Sequence, residues 1–511
     1  MQQLLLPDIL RLHGRWRARH AALVTDEETL DWATLDRRSE QVANGLRASG
    51  CADGARVGIV MNNSAPTVEV LLGAMKAGAI VAPLNTSMTG DAIAAMLRDA
   101  GATAIFTTAE HDGRVSAEAL AQAKLHVTAG VGESARGLSY ASWRQEWCAE
   151  PAGAPLDGDD VCNIIYSSGT TGQPKGIAHT HGARLGWTHD LAHALRYHSD
   201  ARLLIATGLY SNITWAGMLP TLMLGGTLFV RKVFDAADVL ATIARERITH
   251  TSMVPVQFQR LIAHPEFDHH DRSSMQAMMC CGAPLPLQVK RKLFETFRCG
   301  IIELYGSTEG IVTTLAPEEA CDRMTSVGKP LPGEDLAILD DANQRAAPGA
   351  AGEIVALSHF AMCGYWNNPA ATAEAIWVDE GGRRWLRSGD IGRLDEEGFL
   401  YITDRKKDMI ISGGQNVYPA DIEAVLVRHG DVLDCAVLGV PSERWGEAPL
   451  ALVVLREGAD ADAGSLREWA NAQLGKQQRL SLIELRETLP RNANGKLLKR
   501  ELRAPYWHTK A

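Results

Sequence analysis

A segment rich in serine, threonine and glycine has the chemistry of a phosphate-binding loop. Seven of the ten residues from Ser167 to Gly176 (SSGTTGQPKG) are Ser, Thr or Gly, and Lys175 adds a cation. Backbone N–H groups and hydroxyls in such a loop can surround anionic oxygens. The spacing from Gly169 to Lys175 differs from a Walker A loop, and Gly176 stands where Ser or Thr would bind Mg²⁺. A flexible polar connection is the alternative that this composition leaves open.

The charge balance indicates that any phosphate is bound locally. The chain has 511 residues, and 51 Lys and Arg against 61 Asp and Glu give a formal net charge of −10. This balance argues against a nucleic-acid-binding protein, which would present a basic surface. A phosphate ligand would therefore depend on a few placed cations and N–H groups.

Cysteine content and hydropathy predict a cytoplasmic protein without a transmembrane segment. The nine cysteines contain no Cys-x-x-Cys pair, and their odd number fits a reducing compartment better than a set of disulfides. The N-terminus lacks the basic region and apolar core of a signal peptide. The longest apolar stretch, residues 215–230, is broken by Pro220 and Gly225 and is shorter than the ~18 residues of a bilayer span.

The elements that must position the loop follow from hydrophobic periodicity. Apolar residues at three- and four-residue spacing predict a buried helix at 65–80, and short apolar runs predict strands at 56–60, 104–106, 161–166 and 227–230. Helices that alternate with strands indicate mostly parallel α/β sheets. After about residue 340 the pattern predicts a small antiparallel module with strands at 352–356 and 398–402, then an α+β segment with helices at 419–427 and 464–474.

Five motifs in order resemble those of the AMP-forming adenylating enzymes, the superfamily of acyl-CoA synthetases, peptide-synthetase adenylation domains and luciferases. They are YSSGTTGQPKG at 166–176, YGSTEG at 305–310, RSGD at 387–390, DRKKDMIISGG at 404–414 and PRNANGK at 490–496. Together they span nearly the whole chain. The resemblance favours phosphate binding by the first loop, and it is to the acid–CoA ligase branch.

This resemblance implies a two-domain enzyme with an α/β fold. Residues 1–404 would form a large N-terminal AMP-binding domain of α/β sheet subdomains plus a small β-module, with the acid and ATP sites. Residues 405–511 would form a small, mobile α+β C-terminal cap that carries the adenylation lysine. Lys407 occupies the hinge position, where the cap would rotate between two half-reactions.

The implied reaction is the ATP-dependent activation of a carboxylic acid. The carboxylate attacks the α-phosphate, and the thiol of coenzyme A then takes the acyl group from the acyl-adenylate. The resemblance implies that Lys496 neutralises both anions, that Thr308 contacts phosphate and that Glu309 holds Mg²⁺ between phosphate oxygens. ATP, Mg²⁺ and coenzyme A are therefore the implied cofactors.

The remaining implied contacts surround the nucleotide and the pantetheine arm. Asp390 would accept hydrogen bonds from the ribose hydroxyls beside Arg405, and Tyr305 would stack on the adenine. The full set implied for phosphates, nucleotide and coenzyme A is Ser167, Ser168, Gly169, Thr170, Thr171, Gly172, Lys175, Gly282, Ala283, Pro284, Tyr305, Gly306, Asp390, Arg405, Ser412, Gly413 and Gly414. Lys476 and Arg479 are alternative contacts for the phosphates of coenzyme A.

The stretch YSNITW at 210–215 is where the acid would be recognised. Amino-acid-activating relatives place an aspartate where this chain has Ser211, and an unpaired ammonium there would be costly, so an α-amino acid is not expected. The acyl pocket would include Tyr210, Ser211, Trp215 and Gly217, with core packing as the alternative for each of them. Small and apolar neighbours predict an apolar acid that is fatty, aromatic or alicyclic.

Three further questions have alternatives at this stage. The acyl group could pass to the phosphopantetheine of a carrier protein instead of coenzyme A, or the chain could be an inactive nucleotide-binding protein. The second alternative would predict the loss of Lys496, Glu309 or Asp390, and all three are present. The oligomeric state stays open, with a homodimer among the alternatives. His179 and His181 lack further metal ligands nearby in sequence, so structural hydrogen bonding is predicted for them.

The role implied for Lys496 predicts different effects of one variant on the two half-reactions. Lys496→Ala should abolish acyl-adenylate formation and largely spare thioester formation from supplied acyl-adenylate, because only the first half-reaction brings two anions together. Measuring pyrophosphate release and thioester formation separately tests this. Equal loss in both half-reactions would contradict it.

Overall fold

The computed structural model describes residues 3–130, 136–153, 156–167, 175–412, 415–442, 444–476, 478–491 and 497–507. The chain divides into two compact units. The larger contains Met1–Met324, Pro330–Asp335 and Leu357–Leu386, and the smaller contains Thr325–Lys329, Leu336–Ala356 and Arg387–Ala511. The prediction of a large N-terminal α/β domain followed by a smaller C-terminal domain is confirmed. The boundary at residue 404 and the mobility of the cap stay predictions.

Helices and strands alternate along most of the chain. The helices are α1 Leu6–Trp16, α2 Trp32–Ala48, α3 Ala65–Lys76, α4 Gly90–Ala100, α5 Ala109–Asp112, α6 Ala117–Gln122, α7 Tyr140–Gln145, α8 His181–Ala194, α9 Asn212–Met223, α10 Ala236–Glu246, α11 Pro255–Ile262, α12 Leu287–Thr296, α13 Ala320–Arg323, α14 Pro369–Glu374, α15 Pro419–Leu426, α16 Ala463–Asn471 and α17 Lys499–Trp507. Within the described residues, none of these helices is both long and apolar enough to cross a membrane.

The strands build several sheets. They are β1 Ala21–Val24, β2 Thr29–Asp31, β3 Arg56–Val60, β4 Ile80–Pro83, β5 Ala104–Thr108, β6 Leu125–Ala129, β7 Leu138–Ser139, β8 Val161–Ser167, β9 Lys175–Thr180, β10 Arg202–Ile205, β11 Thr227–Val230, β12 His250–Met253, β13 Ala277–Cys280, β14 Ile302–Ser307, β15 Ile311–Leu315, β16 Lys329–Pro330, β17 Glu334–Leu339, β18 Gly352–Ser358, β19 Gly364–Tyr365, β20 Ile376–Val378, β21 Arg384–Leu394, β22 Leu400–Arg405, β23 Ile410–Ser412, β24 Gln415–Val417, β25 Val432–Ser442, β26 Gly446–Leu455 and β27 Leu482–Leu485.

Two large sheets of the larger unit position many of the predicted site residues. One has the order β19-β9-β8-β4-β3-β5-β6-β7, and the other contains β15-β14-β13-β12-β10-β11-β1-β2. Strands β10, β12, β13 and β14 run parallel to one another, whereas β15 pairs antiparallel with β14. The carboxyl ends of parallel strands lie at one edge of a sheet, where ligands usually bind in α/β proteins. The segments that begin after β10, β13 and β14 are those of Tyr210, Gly282 and Thr308.

Most of the predicted elements are confirmed, with shifts at their ends. The strands predicted at 56–60 and 227–230 have those bounds, and the helix predicted at 419–427 ends one residue earlier. The helix predicted at 65–80 ends at Lys76, and the apolar run continues as strand β4 from Ile80. Both elements are almost wholly buried, so hydrophobicity continues across the boundary and periodicity could not locate it.

The smaller unit contains the predicted antiparallel module and α+β segment. Strands β21 and β22 pair antiparallel, and β25 and β26 form a long antiparallel pair beside β23. Helices α15 and α16 contribute Ile422, Leu426 and Leu466 to an apolar core with the strands. The β21–β22 pair places Asp390 opposite Arg405.

A buried ion pair fixes the strand that leads to the YGSTEG motif. Lys290 on α12 is 1% exposed, and its Nζ lies 2.7 Å from Glu303 Oε2 on β14 and 2.7 Å from the carbonyl of Met324. Burial raises the pKa of Glu303, and Lys290 partly offsets that rise. A buried pair is costly to break because the remaining charge keeps no partner.

We therefore expect Lys290→Met to destabilise the larger unit by about 3–5 kcal/mol, the usual cost of leaving one member of a buried pair uncompensated. Chemical denaturation measures the change. The matched control is Lys292→Met on the same helix. The Lys292 side chain is 55% exposed, and its Nζ lies 3.9 Å from Glu295 Oε2, so this ion pair is long and exposed. The double variant Lys290→Met/Glu303→Leu should recover much of the loss. A Lys290 variant as stable as the Lys292 variant would contradict this account.

Candidate active site

The two ends of the predicted phosphate loop are held by a strand pair. Strands β8 and β9 are antiparallel, and Ser167 lies opposite Lys175 at their tips. The loop residues Ser168, Gly169, Thr170, Thr171 and Gly172 lie outside the described residues. The strand predicted at 161–166 is confirmed as β8, so the structure delivers the chain to the loop as the sequence predicted.

Lys175, Tyr365 and Glu309 form a short chain of contacts next to this loop. Lys175 Nζ lies 4.7 Å from the centre of the Tyr365 ring, and the hydroxyl of Tyr365 donates to Glu309 Oε1 at 2.9 Å. Lys175 forms no ion pair with any described residue. Burial, and then the Glu309 carboxylate, raise the pKa of Tyr365, so its proton stays in this bond. Tyr365 thus contacts a cation with its ring and a carboxylate with its hydroxyl.

Glu309 has the donor chemistry that Mg²⁺ requires. Tyr365 occupies Oε1, whereas Oε2 has no hydrogen-bond or ion-pair partner within the part of the chain that the structure describes. A single carboxylate oxygen combined with phosphate oxygens suits Mg²⁺, which keeps few protein ligands and binds substrate phosphates. The described residues contain no group of three or more His, Cys, Asp or Glu side chains that could hold a metal by themselves. Glu309 therefore fits a magnesium ion shared with a nucleotide.

His179 contacts the backbone of Thr308. His179 Nε2 lies 2.9 Å from the Thr308 carbonyl, and its Nδ1 lies 3.2 Å from both Asn163 Nδ2 and Arg184 Nη2. Burial, and then the charge of Arg184, lower the pKa of His179 well below its ordinary value. The hydrogen bonds of His179 confirm the predicted structural role. His181 is also buried, but its Nε2 has no hydrogen-bond partner among the described residues.

Glycines permit close packing around the predicted adenine slot. Gly282 has φ +93°, and a Cβ there would lie 2.6 Å from Ile213 Cδ1, so the slot residue meets the YSNITW stretch. A Cβ on Gly306 would lie 2.5 Å from the carbonyl of Ile311. Ala283 and Tyr305 are half-buried, and Pro284 is exposed. The structure thus brings Gly282 beside the acid stretch, and the stacking role of Tyr305 stays a prediction.

The four residues predicted for the acyl pocket differ in burial. Tyr210 is half-buried, and Ser211 is buried as the N-cap of α9, where it accepts the N–H of Ile213. Trp215 is fully buried and donates from Nε1 to the Leu209 carbonyl at 2.8 Å. A Cβ on Gly217 would lie 2.9 Å from Leu203, inside the core. Trp215 and Gly217 therefore have the packed surroundings that the core-packing alternative predicts. Their role in the acyl pocket stays a prediction.

Asp390 and Arg405 face each other within the smaller unit. Arg405 Nε lies 3.3 Å from Asp390 Oδ1, and Asp390 is 8% exposed. Lys407 is exposed, and Ser412 is buried at the end of β23, where it pairs with Gly446. Gly413, Gly414 and Lys496 lie outside the described residues. The ribose, hinge, pantetheine and catalytic roles of these positions stay predictions.

Sequence reasoning missed several residues around Glu309 and Thr308. Tyr365 lies between two recognisable motifs, and nothing in its neighbourhood marks it as a partner of Glu309. Arg184 occurs in the stretch ARLGW, directly after the two histidines. An arginine next to an apolar stretch of a helix usually lies on the surface, so nothing in this stretch predicts that it is buried. Only its burial, 2% exposed, separates it from a solvated cation.

The Tyr365–Glu309 bond predicts a change in magnesium dependence. Tyr365→Phe removes the hydroxyl that orients the carboxylate, so the Mg²⁺ concentration for half-maximal pyrophosphate release should rise by roughly 10-fold or more, as for other groups that orient a metal ligand. Titrating Mg²⁺ at saturating ATP measures it. The matched control is Tyr401→Phe, which removes the bond to Asp395 at 3.1 Å and should leave the titration unchanged. An unshifted titration for Tyr365→Phe would refute this role.

Comparison with known proteins identifies the family. Residues 12–366 match the AMP-binding enzyme family, and residues 421–496 match its C-terminal domain. The chain is 36% identical to feruloyl-CoA synthase of Amycolatopsis sp over 96% of this chain and 98% of that protein. It is 33% identical to the long-chain-fatty-acid–CoA ligase FadD13 of Mycobacterium tuberculosis, with 93% of each covered. The structure of ATP-bound MatB from Rhodopseudomonas palustris superposes with a TM-score of 0.89 at 28% identity, covering 98% of this chain and 99% of that one. This chain belongs to the AMP-binding enzyme family.

Proposed function

We propose that the protein is an AMP-forming acid–CoA ligase. The observation that carries the proposal is the arrangement of Lys175, Tyr365 and Glu309 at the end of the β8–β9 pair, where the Lys175 ammonium and Glu309 Oε2 have no ion-pair partner among the described residues. Such an arrangement can hold a triphosphate and its metal together. The similarity to CoA ligases along almost the full chain supports the same reaction.

The reaction proceeds in two group transfers. An oxygen of the substrate carboxylate forms a bond to the α-phosphorus of ATP, while the bond from that phosphorus to the bridging oxygen breaks and pyrophosphate leaves. The thiol of coenzyme A then loses its proton, its sulfur bonds to the acyl carbon, and the bond to the phosphate oxygen breaks to release AMP. Neutralising and aligning two anions is the main task of the first transfer.

The residues divide this task by charge and geometry. Lys175 and Lys496 would neutralise phosphate and carboxylate, the hydroxyl of Thr308 would contact phosphate, and the carboxylate of Glu309 would hold Mg²⁺. When bound, Mg²⁺ draws electron density from the phosphate oxygens and balances the charge of the leaving pyrophosphate. Asp390 and Arg405 hold the ribose, and Lys407 is the hinge.

The acid is apolar and is bound beside the start of α9. Ser211 replaces an acidic group and uses its hydroxyl as a helix cap, so this position offers no anion to a substrate ammonium. Tyr210 and Ile213 are half-buried, and Ile213 lies against Gly282. An aryl or alkyl chain suits these neighbours better than a charged one.

A panel of acids tests the proposal. Purified protein is incubated with ATP, Mg²⁺ and coenzyme A, and with ferulate, palmitate or cyclohexanecarboxylate, while AMP, pyrophosphate and acyl-CoA are measured. We expect acyl-CoA, AMP and pyrophosphate in equal amounts with at least one acid. Pyrophosphate without acyl-CoA, and transfer only to a phosphopantetheinyl carrier protein, would identify a carrier-dependent ligase instead. Silence across the panel would refute the proposed activity.

A cytoplasmic location and a homodimer are part of the same proposal. All nine cysteines are free, which supports a reducing compartment. Cys280 and Cys281 are buried apolar residues, as free cysteines usually are. The mass in solution, either that of one chain or twice that value, tests the homodimer.

A further inference from the structure

Arg184 carries a buried positive charge that lacks a counter-ion. The residue lies on α8 and is 2% exposed, and no acidic side chain of the described residues pairs with it. Burial lowers its pKa to about 10, so the guanidinium is charged at neutral pH. Two titratable groups face this charge: the thiol of Cys162, whose pKa burial raises to about 12, and the imidazole of His179, whose pKa burial lowers well below its ordinary value, so neither compensates it at neutral pH. Buried charges are normally paired or bind a ligand, because removing them from water is costly.

Neutral groups on three different elements accept hydrogen bonds from the guanidinium of Arg184. Nε donates to Asn163 Oδ1 at 2.7 Å, Nη1 to Asn212 Oδ1 at 2.9 Å, and Nη2 to His179 Nδ1 at 3.2 Å. The rings of Trp187 and Trp215 lie 4.8 and 5.3 Å from the guanidinium carbon. Cation–π contacts and neutral acceptors reduce the cost of burial while they leave the positive charge uncompensated.

Each of these acceptors leads to a part of the proposed site. Asn163 lies on β8, which ends at the phosphate loop. His179 receives donors at Nδ1, so its proton lies on Nε2, which donates to the Thr308 carbonyl beside Glu309. Asn212 is the first residue of α9, next to Tyr210 and Ser211. One side chain therefore ties the phosphate strand, the magnesium segment and the acid stretch together.

We propose that Arg184 is a positioning residue for the adenylation half-reaction. Its hydrogen bonds align the phosphate and acid sites, and its positive charge, which has no acidic partner among the described residues, lies behind them. This inference rests on the proposed function. Its effect reaches the nucleotide side through His179 and the acid side through Asn212. The negative carboxylate and triphosphate supply the charge that the protein lacks around Arg184. Thioester formation releases these anions and needs neither connection.

The test compares the two half-reactions in Arg184→Met. Adenylation, measured as ATP–pyrophosphate exchange with the panel acid that the wild type uses best, should fall by about 10- to 100-fold, the usual cost of a small misalignment in an active site. Thioester formation from the chemically prepared adenylate of that acid should keep the wild-type rate. The matched control is Arg272→Met, which removes a guanidinium 4.0 Å from the Phe267 ring in the same unit and should leave both half-reactions unchanged.

Variants of the two acceptors separate positioning from stability. His179→Ala should raise the KM for ATP and Asn212→Ala the KM for the acid, and each should leave the other KM near the wild-type value. Because Arg184 acts on Thr308 through His179, adding Arg184→Met to His179→Ala should give less than the product of the two ATP-side effects. Arg184→Lys keeps the charge but not the three-way fork, so its adenylation rate should lie between wild type and Arg184→Met.

MgATP binding without any acid gives a readout that needs no turnover. Arg184→Met and His179→Ala should weaken it, whereas Asn212→Ala and Arg272→Met should not. Wild-type silence across the acid panel would refute the proposed function but leave this binding pattern to be measured. Unchanged MgATP binding, equal slowing of both half-reactions, or independent effects of Arg184→Met and His179→Ala would overturn the role of Arg184.

Discussion

A carboxylate and a triphosphate have to approach each other in a protein whose own net charge is −10. Repulsion between these two anions is the constraint on which the proposed site depends. Among the described residues, Lys175 has no ion-pair partner, Tyr365 binds one carboxylate oxygen of Glu309 and leaves the other without a partner, and Arg184 has no acidic partner and contacts His179. Because these groups are fixed before substrate binds, little reorganisation is needed when charge develops.

Parallel sheets make this placement possible. Strands β10, β13 and β14 end at one edge, so segments far apart in the sequence begin there side by side, which is why Gly282 meets Ile213. The β8–β9 pair of the second sheet holds the two ends of the predicted phosphate loop. The buried Lys290–Glu303 pair holds β14 firmly, so the loop after this strand starts from a rigid support.

How much the sequence could predict depended on the kind of interaction. Strands such as 56–60 and 227–230 followed from short apolar runs, and Asp390 beside Arg405 followed from a motif. The sequence could not decide whether Trp215 lines the pocket or packs in the core, because an apolar residue suits both places. The structure shows that Trp215 is fully buried. Tyr365 and Arg184 carried no local signal, since their partners lie 56 residues away at Glu309 and 21 residues away at Asn163.

The sequence by itself determined the family, the order of the motifs and the local chemistry, because a phosphate loop and its strand are formed by neighbours along the chain. Tertiary structure alone decided which oxygen of Glu309 accepts from Tyr365, which tautomer His179 adopts and whether Arg184 is a surface cation or a buried one. The physical reason is that burial and hydrogen-bond partners come from distant elements. The charge state and direction of a side chain follow from those partners, and not from its neighbours in sequence.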